Sequence, residues 1–395
     1  MKRTLILLST TVVIGCWCSS PLAADEEANK ILEQYKPVID KGLDWLAKQQ
    51  FRDGHWEANG GNYPIAMTGL AGLALLAEGS TPHQGKYAKN LEKAVDYLLA
   101  RAQKKTGLIG RPDDQREQQR YMYAHGYATL FLAQVFGEET DESRRRELEQ
   151  VLTKAVDFIG KAQTNLGGWG YVSAADSRSL GAPDFDEGSV TITQLQALRG
   201  ARNAGIPVSK DVIDKAKEYL KKSTQVVLRD QSNPMREEAG IIYSLRQGGG
   251  NVRPTLTAAG IACMFSAGEY KNDLAIKWLN YCQRHIAIDK SGRDNFHWEY
   301  THLYYAQVMY ILGEDRHAQV RPDLAEQEKK ENKPALLKWS RYRETVFDYI
   351  RSRQNSDGSW NQVNQGGFDV GPIYATALQL IVLQLDKGNL PIYQR

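Results

Sequence analysis

Residues 353–360 read RQNSDGSW, and two relatives of this stretch stand far upstream: QQFRDGHW at 49–56 and AQTNLGGW at 162–169. All three keep Gln, three residues, Gly, one residue and Trp, as Gln354–Gly358–Trp360, Gln50–Gly54–Trp56 and Gln163–Gly167–Trp169. The unit contains no obvious nucleophile, metal ligand or phosphate loop. Asp53-Gly54 and Asp357-Gly358 are turn dipeptides, and glycine supplies the positive φ that ends a helix. The Gln can satisfy orphaned backbone groups at that end, and the Trp can stack over the next helix pair. The unit therefore predicts a structural staple repeated along the chain.

Working outward, each unit closes a charged amphipathic segment. Leu46 and Leu43, Ile159 and Val156, and Ile350 and Phe347 stand four and seven residues before the three glutamines, which lays one apolar stripe along a helix. Segments of this kind cover 29–50, 86–103, 145–163, 209–222, 271–285 and 335–354. They alternate with segments almost free of charge, at 63–77, 121–137, 189–205, 254–268, 298–313 and 370–385. A helix apolar on every side is buried, and these are too short to span a bilayer. Six amphipathic helices alternating with six buried ones predict an all-α (α/α)6 toroid, with the buried set inside. A hairpin is expected around 240–254, and a solvated loop at 321–334. No linker composition divides residues 25–395, which are read as one domain.

Composition narrows the function. The 395 residues are 42% hydrophobic and 25% charged, as in soluble globular proteins. The formal charge is +3, with Lys2 and Arg3 at the extreme N-terminus, and no basic run interleaves with aromatics. Nucleic acid is excluded as a partner. Lys2 and Arg3 precede the apolar run LILLSTTVVIG, which reads as a signal peptide over 1–24 and predicts a periplasmic or secreted protein. Val13-Ile14-Gly15-Cys16 also fits a lipobox, the alternative being a lipoprotein anchored through Cys16. Cys263 and Cys282 are expected to be free thiols.

The repeated unit resembles the QW motif of squalene and oxidosqualene cyclases, within the prenyltransferase and squalene-oxidase repeat superfamily. Weaker copies fit as well: Gln103-x3-Gly107, GIIY at 240–243, and Asn295–Trp298 after Gln283. The resemblance covers roughly residues 30–395 and implies the α/α-toroid. It further implies an isoprenoid or other apolar ligand in the mouth of the ring, with peripheral or lipid-anchored membrane association. Asp184-Phe185-Asp186-Glu187 resembles the Asp-x-Asp-Asp motif of class II terpene cyclases, which makes Asp186 the implied proton donor and Asp184 and Glu187 the other acidic positions. Glu187 stands where that family has Asp, and Gly188-Ser189 where it has Thr-Ala. Converging helix N-termini also favour an ionised carboxylate and oppose a strong acid, and Asp186 fits equally as a helix N-cap. Prenyltransferase β-subunits bind zinc through an Asp-x-Cys that is absent here, and Cys282/His285 sit on an outer segment, so no metal and no cofactor are expected.

A toroid collects the N-termini of its inner helices at one mouth. That rim would present Tyr63, Tyr123, His125, Asp186, Tyr300, His302 and Tyr374, with Tyr171 and Trp298 in loops just before inner helices. His125 and His302 stand at equivalent places and are candidate acid–base groups. Two other classes therefore stay open: a carbohydrate-active (α/α)6 enzyme, hydrolase or lyase, and a non-catalytic binding or scaffold protein.

Overall fold

The computed structural model describes residues 21–179, 184–248, 250–266, 272–289, 297–363 and 369–394. Most of the expected signal peptide, including Cys16, lies outside them, as does Asn295. Fifteen α-helices succeed one another among the described residues. They are α1 (Pro21–Lys48), α2 (Pro64–Glu78), α3 (Ala88–Leu99), α4 (Tyr121–Glu138), α5 (Glu142–Ala162), α6 (Ala174–Ser179), α7 (Gly188–Asn203) and α8 (Lys210–Lys222). After a hairpin come α9 (Pro254–Ser266), α10 (Asp273–His285), α11 (Trp298–Leu312), α12 (Arg316–Val320), α13 (Pro322–Glu331), α14 (Trp339–Ser352) and α15 (Pro372–Leu383).

Helices α2, α4, α7, α9, α11 and α15 each pack on the next, and α15 returns to α2, which closes an inner ring. Around it stand α3, α5, α8, α10 and α14, each against the inner helix beside it, while α1 packs on α15. All residues of α2 but Glu78 are buried, as are all of α11 but Tyr310. The fold is the all-α (α/α)6 toroid that the alternation of segments predicts. Among the described residues, no helix is long and apolar enough to cross a membrane. Cys263 and Cys282 are free thiols.

The staple has one geometry at all three intact copies. The Gln Nε2 donates to the carbonyl of its own Gly and to a carbonyl of the next outer helix: Gln50 to Gly54 and Asn90, Gln163 to Gly167 and Val212, Gln354 to Gly358 and Val38. The last of these joins the end of the chain to its beginning. The Trp indole N–H donates back to an orphaned carbonyl of its own outer helix, while the Trp360 ring lies against Gly42 of α1 in the next pair. Those bonds are Trp56 to Leu46 O at 2.7 Å, and Trp169 to Ile159 O and Trp360 to Ile350 O at 2.8 Å each. The Gly lies in the left-handed region, and the next helix leaves no room there for a side chain. A Cβ on Gly358 (φ +102°) would fall 2.5 Å from the carbonyl oxygen of Lys41, and Gly54, Gly107 and Gly167 meet Lys93, Lys154 and Lys215 in the same way.

Two expectations are corrected. The segment expected as a solvated loop contains α13, which Pro322 begins and which the Glu326–Lys330 ion pair supports one turn apart. The hairpin pairs β1 (Thr224–Leu228) with β2 (Glu238–Ile241), antiparallel, instead of folding within 240–254. The β-branched run TQVV after α8 supplies the partner strand, while Arg253 N–H bonds Ile241 O and draws the intervening loop back over β2.

At the far end of the ring, the turn Pro391–Tyr393 plugs the centre: Ile392 N–H donates to Gln134 Oε1 at 3.2 Å, and Tyr393 is buried. The void left beside Tyr127, Tyr304 and Tyr393 is about 10 Å3, too small for anything beyond a water.

The staple can be tested through its glycine. Gly358→Ala is expected to destabilise by roughly 3 kcal/mol or more in urea unfolding, since it adds a backbone collision to left-handed strain. Gly205→Ala (φ +88°, nothing within 4 Å of the added carbon) is expected to cost only about 1 kcal/mol. Equal losses would show that close approach at the staple does not matter.

Candidate functional site

The inner helices begin at the end of the ring where the staples lie. At this mouth Tyr63, Tyr123, Tyr171, Tyr243 and Tyr374 keep partial exposure, whereas most of the inner helices are buried. Tyr63 caps α2 with left-handed backbone (φ 54°), and its N–H donates to Arg116 O. Tyr123 lies 6.0 Å from Tyr171 and 6.5 Å from Tyr127, ring centre to ring centre. The hydroxyls of Tyr171 and Tyr243 bond each other, and Tyr300 OH donates to Ser189 O at 3.3 Å.

Glu187 is the acid among them. It is the N-cap of α7, its carboxylate accepting from Val190 N–H at 3.0 Å. The same oxygen, Oε2, accepts from Tyr123 OH at 3.2 Å and from the Ser189 hydroxyl, which also meets Tyr123 OH. These bonds converge on Oε2, and the backbone N–H of Ser189 also favours the ionised form. Burial raises the Glu187 pKa, against the pull of its donors. Glu299, the second residue of α11, is buried and raised for the same reason; Val363 N–H bonds its Oε1 at 2.7 Å, and its buried Oε2 has no partner. Glu117 holds the start of α2 through Ile65 N–H at 2.8 Å, and burial pushes it up to about 7.

The other two acids of the Asp184–Glu187 cluster turn away from the mouth. Asp186 accepts from Tyr219 OH, Leu245 N–H and Arg246 N–H, at 2.8, 2.8 and 3.0 Å, and so knits the entry of α7 to α8 and the turn after β2. Asp184 accepts from Asn165 N–H and pairs with Arg178 at 3.1 Å. The cap that the sequence offers at Asp186 is made by Glu187.

The two histidines belong to the staples. Thr68, Thr191 and Thr376 accept the backbone N–H of Trp56, Trp169 and Trp360, and Thr257 accepts that of Ile241. At the equivalent place on α4, His125 Nδ1 accepts from Ile109 N–H at 3.0 Å, and Nε2 donates to Ala155 O at 3.1 Å. His302 sits likewise on α11, with Nδ1 2.7 Å from Tyr342 OH. Burial lowers their pKa values to about 4 and about 3. Trp298 is buried against His302 and Tyr349, on the side of the outer ring.

Sequence reading missed Tyr243, Glu299, Arg120, Arg253 and His297. Tyr243 closes the weak repeat GIIY, and Glu299 was visible as the lone acid of an otherwise uncharged helix. The arginines carry no local signal. Among the described residues no group of three His, Cys, Asp or Glu side chains forms a metal site.

No protein-family model and no curated protein matches the chain. Solved structures do. An inactive variant of the α-1,6-mannanase GH76A of Salegentibacter sp. HEL1_6, in complex with α-1,6-mannotriose, matches with a TM-score of 0.55 and 9% identity, over 89% of this chain and 98% of that one. Another inactive variant, in complex with α-1,6-mannotetrose, matches at 0.54 and 10% identity, over 89% and 98%. The mannanase itself matches at 0.53 and 8% identity, over 90% and 99%. At such identity the likeness is one of fold.

These findings correct the resemblance to squalene cyclases and prenyltransferases: the matching ring is that of a glycoside hydrolase. The Gln-x3-Gly-x-Trp unit is explained by how one outer helix is fastened to the next. The isoprenoid or other apolar ligand is corrected with it. The matching enzyme's inactive variants hold oligosaccharides, and the mouth here carries tyrosine hydroxyls, a carboxyl group and arginines.

The neutral histidines give stability a defined pH dependence. His125 takes up its proton near pH 6.5 when unfolded but only near pH 4 when folded, so stability is full above about 6.5 and falls as pH drops toward 4. The loss is roughly 3 kcal/mol for this residue. His125→Thr, which restores the acceptor used at four other helices, is expected to flatten that slope in urea melts. An unchanged slope would contradict the assignment.

Proposed function

We propose that this protein is an exported glycoside hydrolase that binds a glycan in the mouth of the ring. The observation that carries the reading is Glu187: a buried acid with a raised pKa, hydrogen-bonded by Tyr123 and Val190 and set among partly exposed tyrosines. Tyrosine faces stack on sugar rings while their hydroxyls bond sugar hydroxyls. The matching fold of a mannanase bound to mannotriose supports the same class. Export, read from the N-terminal segment, suits an enzyme that meets glycans outside the cytoplasm; free release is the finer reading, with anchoring through Cys16 as its alternative.

The chemistry rests on a proton inventory. Glu187 gives its proton to the glycosidic oxygen as the bond to the anomeric carbon breaks, and Tyr123 and Ser189 hold the resulting carboxylate through Oε2. Hydrolysis needs a second carboxylate, to take the proton of the attacking water or to bond the anomeric carbon. Glu299 does not fill that role, since burial raises it as well and encloses its unpartnered oxygen. Elimination by a tyrosine base is disfavoured: burial pushes the Tyr123 and Tyr171 hydroxyls up, and the charge of an ionised Glu187 pushes them further.

The test is reducing-end release from a panel of α- and β-linked polysaccharides, α-1,6-mannan included. Glu187→Gln is expected to lower kcat by about a hundredfold or more with KM little changed. The wild-type rate should fall on the alkaline side at a pH above the usual carboxylate range, because Glu187 must be protonated. No activity and no binding anywhere in the panel would overturn the reading.

A further inference from the structure

Two guanidinium groups stand over the tyrosine pair of the mouth. Arg120, just before α4, lies 4.8 Å from the centre of the Tyr171 ring, and Arg253, just before α9, lies 4.6 Å from that of Tyr243. Since the two tyrosine hydroxyls bond each other, the four side chains form one strip: guanidinium, ring, ring, guanidinium. Arginine on a ring face keeps its N–H edge for a planar oxyanion, which it can grip with two bonds. Arg253 is exposed, and among the described residues no ion pair engages it.

Of the buried acids near the strip, Glu117, Glu187 and Glu299 are driven toward their neutral forms by burial, Asp186 is held by Tyr219, Leu245 and Arg246, and His297 is held toward neutrality by burial and by Arg253. The field of both arginines reaches Tyr171. The inner helices also begin here, and their N-termini add a fixed positive bias that by itself would not define a site.

We propose that Arg120 and Arg253 form an anion subsite that selects glycans bearing an acidic group, a uronate carboxylate or a sulfate ester, on a sugar stacked over Tyr171 and Tyr243. This assignment rests on the glycan-binding reading of the mouth and narrows it: the substrate is an acidic polysaccharide, and the arginines set specificity without taking part in bond cleavage. Neutral mannan would then be a poor substrate despite the matching fold.

Calorimetric titration of the full protein tests this with three oligosaccharides of equal length: a neutral α-mannooligosaccharide, an oligouronate and a sulfated oligosaccharide. At least one acidic ligand is expected to bind about tenfold or more tightly than the neutral one, with affinity falling as NaCl rises. Arg253→Gln should weaken that acidic ligand by about tenfold and the neutral one by less than about twofold. Tighter binding of the oligouronate identifies carboxylate as the acidic group, and tighter binding of the sulfated ligand identifies sulfate; either supports the subsite. Equal binding of neutral and acidic ligands, or an equal effect of Arg253→Gln on both, overturns it while leaving the glycan site standing. Absence of binding by all three overturns the glycan reading and the subsite together. Circular dichroism of Arg253→Gln, with unchanged urea midpoint, separates lost contact from lost fold.

Discussion

The hydrogen bond from Gln354 to the Val38 carbonyl closes the ring, and the rest of the molecule depends on that closure. An open array of helix pairs would leave an inner and an outer face bare at each end. Here the last outer helix is fastened to the first by the same bonds that join α1 to α3 and α5 to α8. The staple holds because three demands meet in eight residues. Glycine permits contact with the neighbouring backbone, Gln spans to its carbonyl, and Trp returns to satisfy the helix it has just left. Each crossing is then held by the inner helix it feeds, through a threonine or a histidine about one turn from its start.

This arrangement sorts polar groups by direction. Asp184, Asp186, His125 and His302 are consumed by the frame, where buried polar atoms must find partners. Glu187 and the partly exposed tyrosines stand at the mouth. Neighbouring residues thus face different ways: Asp186 meets three donors from the frame, while Glu187, one residue later, meets Tyr123. Burial lowers the pKa values of the histidines and raises that of Glu187, through the same desolvation acting on groups of opposite charge.

Much of the ring was legible in the sequence, because the staple repeats and because helices free of charge can only be interior. The mouth was legible only in part. Tyr123 and Tyr300 were placed correctly at helix N-termini, but His125 and His302 come two residues after each, which turns a side chain by about 200° onto the opposite face. Comparison with Thr68, Thr191, Thr257 and Thr376 would have exposed the shared position. Tyr243 and Arg253 were hidden because they flank a hairpin whose strand partner lies upstream at 224–228, so local pattern could not bring them to the mouth. The likeness to cyclases read the mechanics of the ring as a sign of chemistry, and fold alone does not carry chemistry.

The central claim, that the end of the ring where the inner helices begin is a glycan site, is tested most directly by amide hydrogen exchange with and without a saturating oligosaccharide. The account predicts slowed exchange confined to segments around 120–124, 170–172, 187–191 and 242–248, with the outer helices unchanged. Protection confined to the outer helices, or none despite measurable binding, would contradict it.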